Sequence, residues 1–167
     1  LGIFGYGSIG KRVAEIGAAL GMRVIVCTRT RRPGCPFPYV DKETLFSQSD
    51  FLSLHCPQTP ETQGLIDARA LAKMKRTAIL INTARGGLID ESALAAALNE
   101  NRIAGAYLDV VSEEPVRADN PLLKAKNCRL TPHVAWQPLE TRLRLHKRVE
   151  EHLAAFLSGS PRDVVGV

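Results

Sequence analysis

The stretch Leu1-Gly2-Ile3-Phe4-Gly5-Tyr6-Gly7-Ser8-Ile9-Gly10 decides how the rest of the chain is read. A short apolar run enters Gly-x-Gly-x-x-Gly, and the apolar positions Ile9, Val13, Ile16 and Leu20 then recur at helical spacing. A strand that breaks into glycines and opens a helix is the context in which this pattern has a mechanism. The first glycine permits a tight turn, the second lets backbone approach a pyrophosphate, and the third lets helix and strand pack closely. The phosphate would then meet unpaired N–H groups at the helix N-terminus. Gly5, Gly7, Ser8, Ile9 and Gly10 are therefore candidate cofactor-binding positions. The competing reading is of glycines that only permit a turn, and the flanking strand and helix weigh against it.

Outward from this turn, short apolar runs alternate with segments of helical period. Strands are predicted at Leu1 to Phe4, Arg23 to Cys27, Phe51 to Leu54, Ala78 to Ile81, Ala104 to Leu108 and Cys128 to Leu130. Helices are predicted near 9–20, 43–48, 68–74 and 91–99, with a long one near 138–158. Strand alternating with helix implies an α/β fold with a parallel, doubly wound sheet, and continuous apolar strands of this kind are expected to be buried on both faces. Proline-bearing loops at Pro33 to Pro38, Pro57 to Pro60 and Pro115 to Pro121 punctuate the pattern.

At 167 residues with 45% hydrophobic content the chain can bury one core. It starts at Leu1 with almost no lead-in to the first strand, so a fragment lacking its true N-terminus is expected and nothing about targeting follows. No apolar stretch reaches the roughly 18 residues a membrane span needs. The formal charge of +5 and pI near 9.2 raise the question of an anionic partner. Arg142 to Arg148, however, interleave with Glu140, Glu150 and Glu151 as on a solvated helix face, and no aromatic interleaving or nucleic-acid motif accompanies the charge. Neither nucleic acid nor membrane is an expected partner. Cys27, Cys35, Cys56 and Cys128 show no Cys-x-x-Cys pair and no histidines at metal-ligand spacing; they read as reduced thiols, with no metal site.

The basic segment after the second strand has a better use. A ribose-binding acid is expected about twenty residues beyond the glycines, but this chain has Thr28, followed by Arg29, Thr30, Arg31 and Arg32. Hydroxyls and guanidinium groups in place of a carboxylate remove repulsion of a 2′-phosphate and supply bidentate donors for it. NADPH is thus expected over NADH, with a solvated basic loop as the competing explanation.

In an open parallel sheet ligands bind beyond the carboxyl ends of the strands. Arg85 follows the fourth predicted strand, Asp109 ends the fifth with Glu114 just beyond, and His133 follows the sixth. Each alone has an ordinary structural explanation, as a cap, a loop acid or a loop histidine. Together they fit reduction of a 2-keto acid, which needs a cation for the carboxylate, a proton donor for the carbonyl oxygen and an acid that stabilises that donor's charged form. Arg85, His133 and Glu114 fill these roles as the candidate catalytic set. His55, His146 and His152 are assigned no chemistry.

Taken in order, Gly5 to Gly10, Leu54-His55-Cys56-Pro57 with Thr59-Pro60-Glu61-Thr62, Asn82-Thr83-Ala84-Arg85-Gly86-Gly87, Leu108-Asp109-Val110 with Glu113-Glu114-Pro115, and Thr131-Pro132-His133 resemble the signatures of the D-2-hydroxyacid dehydrogenases. The resemblance implies a Rossmann-type domain in which Arg85 binds and polarises substrate, His133 is the acid/base, Glu114 pairs with it and Asp109 orients the nicotinamide. Cys56, Pro57, Thr62, Thr83 and Ala84 would line the dinucleotide site, and Ala135 joins them. His133-Val134-Ala135-Trp136 is similar to the glycerate dehydrogenase and hydroxypyruvate reductase branch. Hydroxypyruvate, glyoxylate or glycerate become the first-guess substrates, with NADP or NAD as cofactor, a homodimer as the assembly and the cytoplasm as the location. Two departures stand out: Thr28 replaces the usual acid, and the N-terminal part of the family's substrate domain is missing. The expected division is 1–137 as dinucleotide-binding domain and 138–167 as a helix and tail returning to that absent domain. The isolated fragment is expected to bind dinucleotide but to turn over slowly or not at all. A dinucleotide-sensing co-repressor of the same fold is the rival from another class, though no long disordered tail or docking motif is present. Formate dehydrogenation is disfavoured, because the family's formate enzymes lack an acid at the position of Glu114.

Overall fold

The computed structural model describes residues 1–165. Its first unit, Leu1–Pro132, is built on a six-stranded, fully parallel sheet. The strands are β1 (Gly2–Phe4), β2 (Ile25–Cys27), β3 (Phe51–Leu54), β4 (Ile79–Asn82), β5 (Gly105–Leu108) and β6 (Cys128–Leu130). The helices between them are α1 (Ser8–Ala19), α2 (Lys42–Gln48), α3 (Ala68–Lys73) and α4 (Glu91–Asn99). All six predicted strands and these four helices occur, each within about two residues of its expected bounds.

The spatial order is β2-β1-β3-β4-β5-β6. Tyr39 adds a further parallel bridge on the outer edge of β2, where Val26 N–H donates to the Pro38 carbonyl and Val40 N–H to the Val26 carbonyl. Counting this stub as a strand restores the third-second-first-fourth order of doubly wound dinucleotide folds. The prolines at 33, 36 and 38 limit it to a single bridge by removing N–H donors.

Alternate residues of the strands feed two apolar clusters. Phe4, Ile25, Leu52, Leu54 and Leu80 pack with Leu45, Leu71, Leu94 and Leu98 of α2, α3 and α4, while Ile3 and Val26 pack on the other face with Ala14 of α1. Asp41, Asp67 and Asp90 cap α2, α3 and α4 by accepting from backbone N–H groups in their first turns.

Two details depart from the sequence reading. The buried face of α1 is Gly10, Ala14 and Gly17, whereas Ile9 and Ile16, from the apolar series, are 69% and 52% exposed. Close approach to the sheet selects small residues: a Cβ on Gly10 would lie 2.1 Å from the Gly5 carbonyl oxygen, and one on Gly17 2.4 Å from the Leu1 side chain. Burial on both faces also fails toward the β6 edge. In the row that pairs Ile3, Ser53, Ile81, Tyr107 and Arg129, Ser53 is buried and Ile81 half-buried, but Tyr107 and Arg129 are exposed.

The second unit begins at His133 and contains α5 (Leu139–Leu157). No residue of α5 is buried, and Leu143, Val149, Leu153 and Phe156 are all exposed. Within this unit Arg148 pairs with Glu151 and Asp163, the salt-bridged surface expected of a solvated basic helix. Positions 166 and 167 of the predicted C-terminal segment lie outside the described residues.

Candidate active site

The glycine-rich turn carries three different constraints. Gly5 has φ +95°, and a Cβ there would meet the His55 carbonyl oxygen at 2.6 Å and the Cys56 nitrogen at 2.8 Å. Only glycine satisfies both the left-handed backbone and this approach to the segment after β3. Gly10 closes α1 onto Gly5, as described above. Gly7 is the N-cap of α1, and a Cβ there would meet nothing within 4 Å. No side chain caps this helix and no acid lies in its first turn, so N–H groups and the positive end of the helix dipole face an open position. That arrangement fits a pyrophosphate: the turn is rigid on both sides and vacant where the backbone must be approached.

The sheet order reverses at β1, with β2 on one side and β3 on the other, which places the ligand crevice of a doubly wound fold beside this turn. A cleft of about 320 Å³ lies there. Ile9 of α1, the segment His55–Gln58 after β3 and the segment Thr83–Arg85 after β4 line it. It thus gathers Ile9, Cys56, Pro57, Thr83, Ala84 and Arg85 from the predicted set. Thr62 is not among its lining residues. Its hydroxyl accepts from Thr59 N–H at 2.8 Å and donates to the Pro57 carbonyl at 2.8 Å, closing the loop that carries Pro57.

His55 and Gln58 line the cleft without having been assigned a role. His55 bonds through Nε2 to Ser53 Oγ at 2.9 Å, and burial lowers its pKa from the ordinary value. A position directly after β3 was the available signal for His55; Gln58 lies four residues beyond the strand and had no such signal. Asn82 is a second omission. Fully buried at the end of β4, it donates from Nδ2 to the Arg85 carbonyl at 2.8 Å and accepts from Ala84 N–H at 3.0 Å. Its two bonds fix the turn that presents Arg85, whose Nη1 in turn donates to the Ala84 carbonyl.

The acidic loop after β5 is held against this turn. A Cβ on Gly86 would lie 1.9 Å from the Val111 carbonyl carbon, so the Arg85-Gly86 segment touches backbone at 111–112 directly. Glu91, in the first turn of α4, accepts from Ser112 N–H at 2.6 Å, from the Ser112 hydroxyl at 2.9 Å and from Asn120 Nδ2 at 2.8 Å. Within the loop, Glu114 Oε1 accepts from Val111 N–H at 3.3 Å. Asp109 is buried, donates its N–H to the Asn82 carbonyl and accepts from the Thr131 hydroxyl at 2.5 Å. Arg85 and Glu114 therefore sit on neighbouring, mutually braced loops of the first unit. His133 and Ala135 belong to the second. His133 has φ +54°, a left-handed conformation uncommon for a residue with a side chain, and its carbonyl accepts from Trp136 Nε1 at 2.8 Å.

At the end of β2, Thr28 Oγ1 donates to the Thr30 carbonyl at 3.4 Å, and Arg29, Thr30, Arg31 and Arg32 are all exposed. The Arg31 guanidinium lies over the Tyr39 ring, 5.4 Å from its centre. Among the described residues no group of acids, histidines and cysteines has the makings of a metal site, and the four cysteines are free thiols.

The family described as D-isomer specific 2-hydroxyacid dehydrogenase, NAD binding domain, matches residues 1–135. A hydroxypyruvate reductase from Blautia hydrogenotrophica is 47% identical over 99% of this chain and 52% of its own length. A glycerate dehydrogenase from Methylorubrum extorquens has the same identity and coverage. Among solved structures, an acyclic imino acid reductase in complex with NADPH and D-Arg superposes with a TM-score of 0.91 at 38% identity, over 99% of this chain and 53% of that one. The NAD-complexed D-isomer specific 2-hydroxyacid dehydrogenase from Lactobacillus delbrueckii ssp. bulgaricus gives 0.88 at 34% identity, over 99% and 55%. The chain thus spans about half the length of the curated relatives it matches.

Proposed function

The chain belongs to the D-isomer specific 2-hydroxyacid dehydrogenases, as their NAD-binding domain, and from that premise we propose that it is the dinucleotide-binding half of an oxidoreductase. The full enzyme moves a hydride between NAD(P)H and a small 2-keto or D-2-hydroxy acid of the hydroxypyruvate, glyoxylate or glycerate type. The observation that carries this is the switch-point cleft, which opens beside the uncapped turn at Gly7 and is walled by Arg85. A turn that fits a pyrophosphate thus lies beside a crevice lined by a cation.

When bound there, the nicotinamide supplies or takes up the hydride. The chain's own residues do the rest. Backbone N–H groups of Gly7 to Gly10 would hold the pyrophosphate, and Cys56, Pro57, Thr83 and Ala84 would wall the dinucleotide site. Arg85 binds the substrate carboxylate, its turn fixed by Asn82. The family resemblance gives His133 the proton exchange at the substrate oxygen and Glu114 the part of its acid partner. By the same resemblance Asp109 would orient the nicotinamide, and Thr62 and Ala135 would be supporting positions. Thr28, Arg29, Thr30 and Arg31 read the adenosine ribose and favour NADPH, because a hydroxyl and cations stand where a carboxylate would repel a 2′-phosphate.

The segment 1–137 is the dinucleotide-binding domain, and 138–167 returns to a substrate domain. The open sheet face at Tyr107 and the exposed apolar residues of α5 are surfaces such a domain would cover. The working enzyme is a cytoplasmic homodimer. Titration of this chain with NADPH and NADH by nicotinamide fluorescence, repeated with Arg29→Ala, tests the cofactor assignment: tighter NADPH binding that collapses in the variant supports it, and binding of neither cofactor overturns it. Reduction of hydroxypyruvate and glyoxylate by the full-length enzyme, abolished by His133→Ala, tests the reaction.

A further inference from the structure

The basic loop after β2 is held by a single aromatic side chain from beyond the proline segment. Arg32 N–H donates to the Tyr39 hydroxyl at 2.9 Å, and that hydroxyl donates back to the Arg32 carbonyl at 3.2 Å. The ring of the same tyrosine underlies the Arg31 guanidinium. Tyr39 is itself fixed twice, by its bridge to Val26 on the edge of β2 and by an edge-on contact with Tyr6, ring centres 6.4 Å apart at 88°. Tyr6 is buried within the glycine-rich turn. An unbroken chain of contacts therefore joins the pyrophosphate turn to the two arginines through Tyr6 and Tyr39.

We infer that Tyr39 is a positioning residue for cofactor discrimination: it shapes the Thr28–Arg32 loop and holds Arg31 in the orientation that receives a 2′-phosphate. The inference rests on the NADPH reading above and names the device behind it. An arginine side chain on an exposed loop samples many rotamers, and ordering it on binding opposes affinity. A guanidinium stacked on an aromatic face is already ordered, while its N–H edge stays free for a bidentate anion. The backbone bonds to Arg32 do the same for the loop. Arg29 is close enough for its charge to contribute to lowering the pKa of Glu61 in the loop after β3, behind that carboxyl's own hydrogen bonds, the largest from Thr59. Tyr39 contacts Arg31 through its ring and Arg32 through its hydroxyl, whereas Arg29 has no such contact with it, so Arg29 serves as the control.

The test is a fluorescence titration of this chain with NADPH and NADH, with 2′-AMP and 5′-AMP as competitors, for wild type, Tyr39→Phe, Tyr39→Leu and Arg29→Ala. Tyr39→Phe removes the two bonds to Arg32 and keeps the stack; Tyr39→Leu removes both, and thermal melting checks that each variant folds. The expected result for Tyr39→Leu is NADPH and 2′-AMP binding weakened about tenfold, equivalent to about 1.4 kcal/mol, with NADH and 5′-AMP within about twofold. Tyr39→Phe falls between it and wild type, and reads the effect even where the leucine variant does not fold. Equal weakening of both cofactors makes Tyr39 merely structural and overturns the inference. A wild type that prefers NADPH and loses it on Arg29→Ala, but keeps it in both Tyr39 variants, overturns the inference and leaves the NADPH reading standing. A wild type without the preference overturns both.

Discussion

Gly7 and Gly10 stand three residues apart in one turn, and the structure predicts opposite consequences for the same substitution. In Gly10→Ala the new methyl would lie 2.1 Å from the Gly5 carbonyl oxygen and 3.2 Å from the His55 Cβ. An ordinary contact needs more than 3.4 Å, so the Gly5 end of β1 and α1 must separate by over an ångström, with the Gly5 backbone on one side and the His55 Cβ on another. Overpacking of a tight site typically costs 1–3 kcal/mol, and a backbone neighbour places this case at the upper end, about 3 kcal/mol. For a domain of this size that lowers Tm by about 6–12 °C. In Gly7→Ala the methyl meets nothing, and the residue's φ of −81° suits alanine. The small loss of N-cap preference is offset by about 0.4–1 kcal/mol from reduced freedom of the unfolded chain, so Tm stays within a few degrees. The methyl does occupy the space where a phosphate would approach, and nicotinamide affinity should fall about tenfold or more, the equivalent of about 1.4 kcal/mol. Thermal melts followed by circular dichroism and fluorescence titrations with NADPH measure the two effects separately. A Gly7→Ala variant that binds cofactor as wild type does, or that loses as much stability as Gly10→Ala, would refute the assignment of the turn.

Asn82→Ala leaves the Arg85 carbonyl and Ala84 N–H without their partner; stability should fall by about 2 kcal/mol in denaturant unfolding, and an unchanged midpoint would mean water replaces the amide. Glu91→Ala removes three hydrogen bonds from Ser112 and Asn120, so amide exchange and proteolytic cleavage around 112–120 should rise while exchange in β1 and β3 stays unchanged. His55 is buried against protonation, its folded pKa lying below the ordinary 6.5. The unfolded chain therefore binds the extra proton first, and stability drops as pH falls below about 6.5 and toward the folded pKa, with no contribution above it. Tm measured from pH 7.5 to 5 should lose part of this slope in His55→Asn, and an identical slope would assign the effect elsewhere.

The strands were legible because their information is local. Leu52, Leu54 and Leu80 are apolar in sequence and fully buried in the sheet, and a continuous apolar run bounded by turn residues has few other fates. The orientation of α1 was not legible in the same way. Ile9, Ile16 and Leu20 carry the apolar periodicity, yet the face on the sheet is Gly10, Ala14 and Gly17. Hydrophobic periodicity reports which residues favour burial, but the distance between helix and sheet decides which can be buried. That distance is imposed by the glycine-rich turn, since Gly10 brings α1 into contact with the Gly5 carbonyl at the end of β1. The isoleucines are left outside because the glycine-rich turn leaves no room for them within.

The same reasoning explains which candidate residues the sequence could nominate. Arg85, Asp109, Glu114 and His133 are chemically conspicuous and follow strands, so polarity and position sufficed to nominate them. Asn82, Glu91 and Tyr39 act through partners 3, 21 to 29 and 7 residues away, and nothing in their neighbours' identity marks those pairings. Tyr39 lies just beyond prolines at 33, 36 and 38, where local rules predict only loop; its strand-like bridge exists because the edge of β2 offers Val26 as a partner. Reactive groups can be recognised one at a time, whereas the residues that aim them are defined only by the fold. In this chain the aiming residues connect the separate parts: Asn82 ties β4 to the Arg85 turn, Glu91 ties α4 to the acidic loop, and Tyr39 ties the glycine-rich turn to the basic loop. Substitutions at these three positions should therefore change affinity or specificity by displacing reactive groups whose identity is untouched.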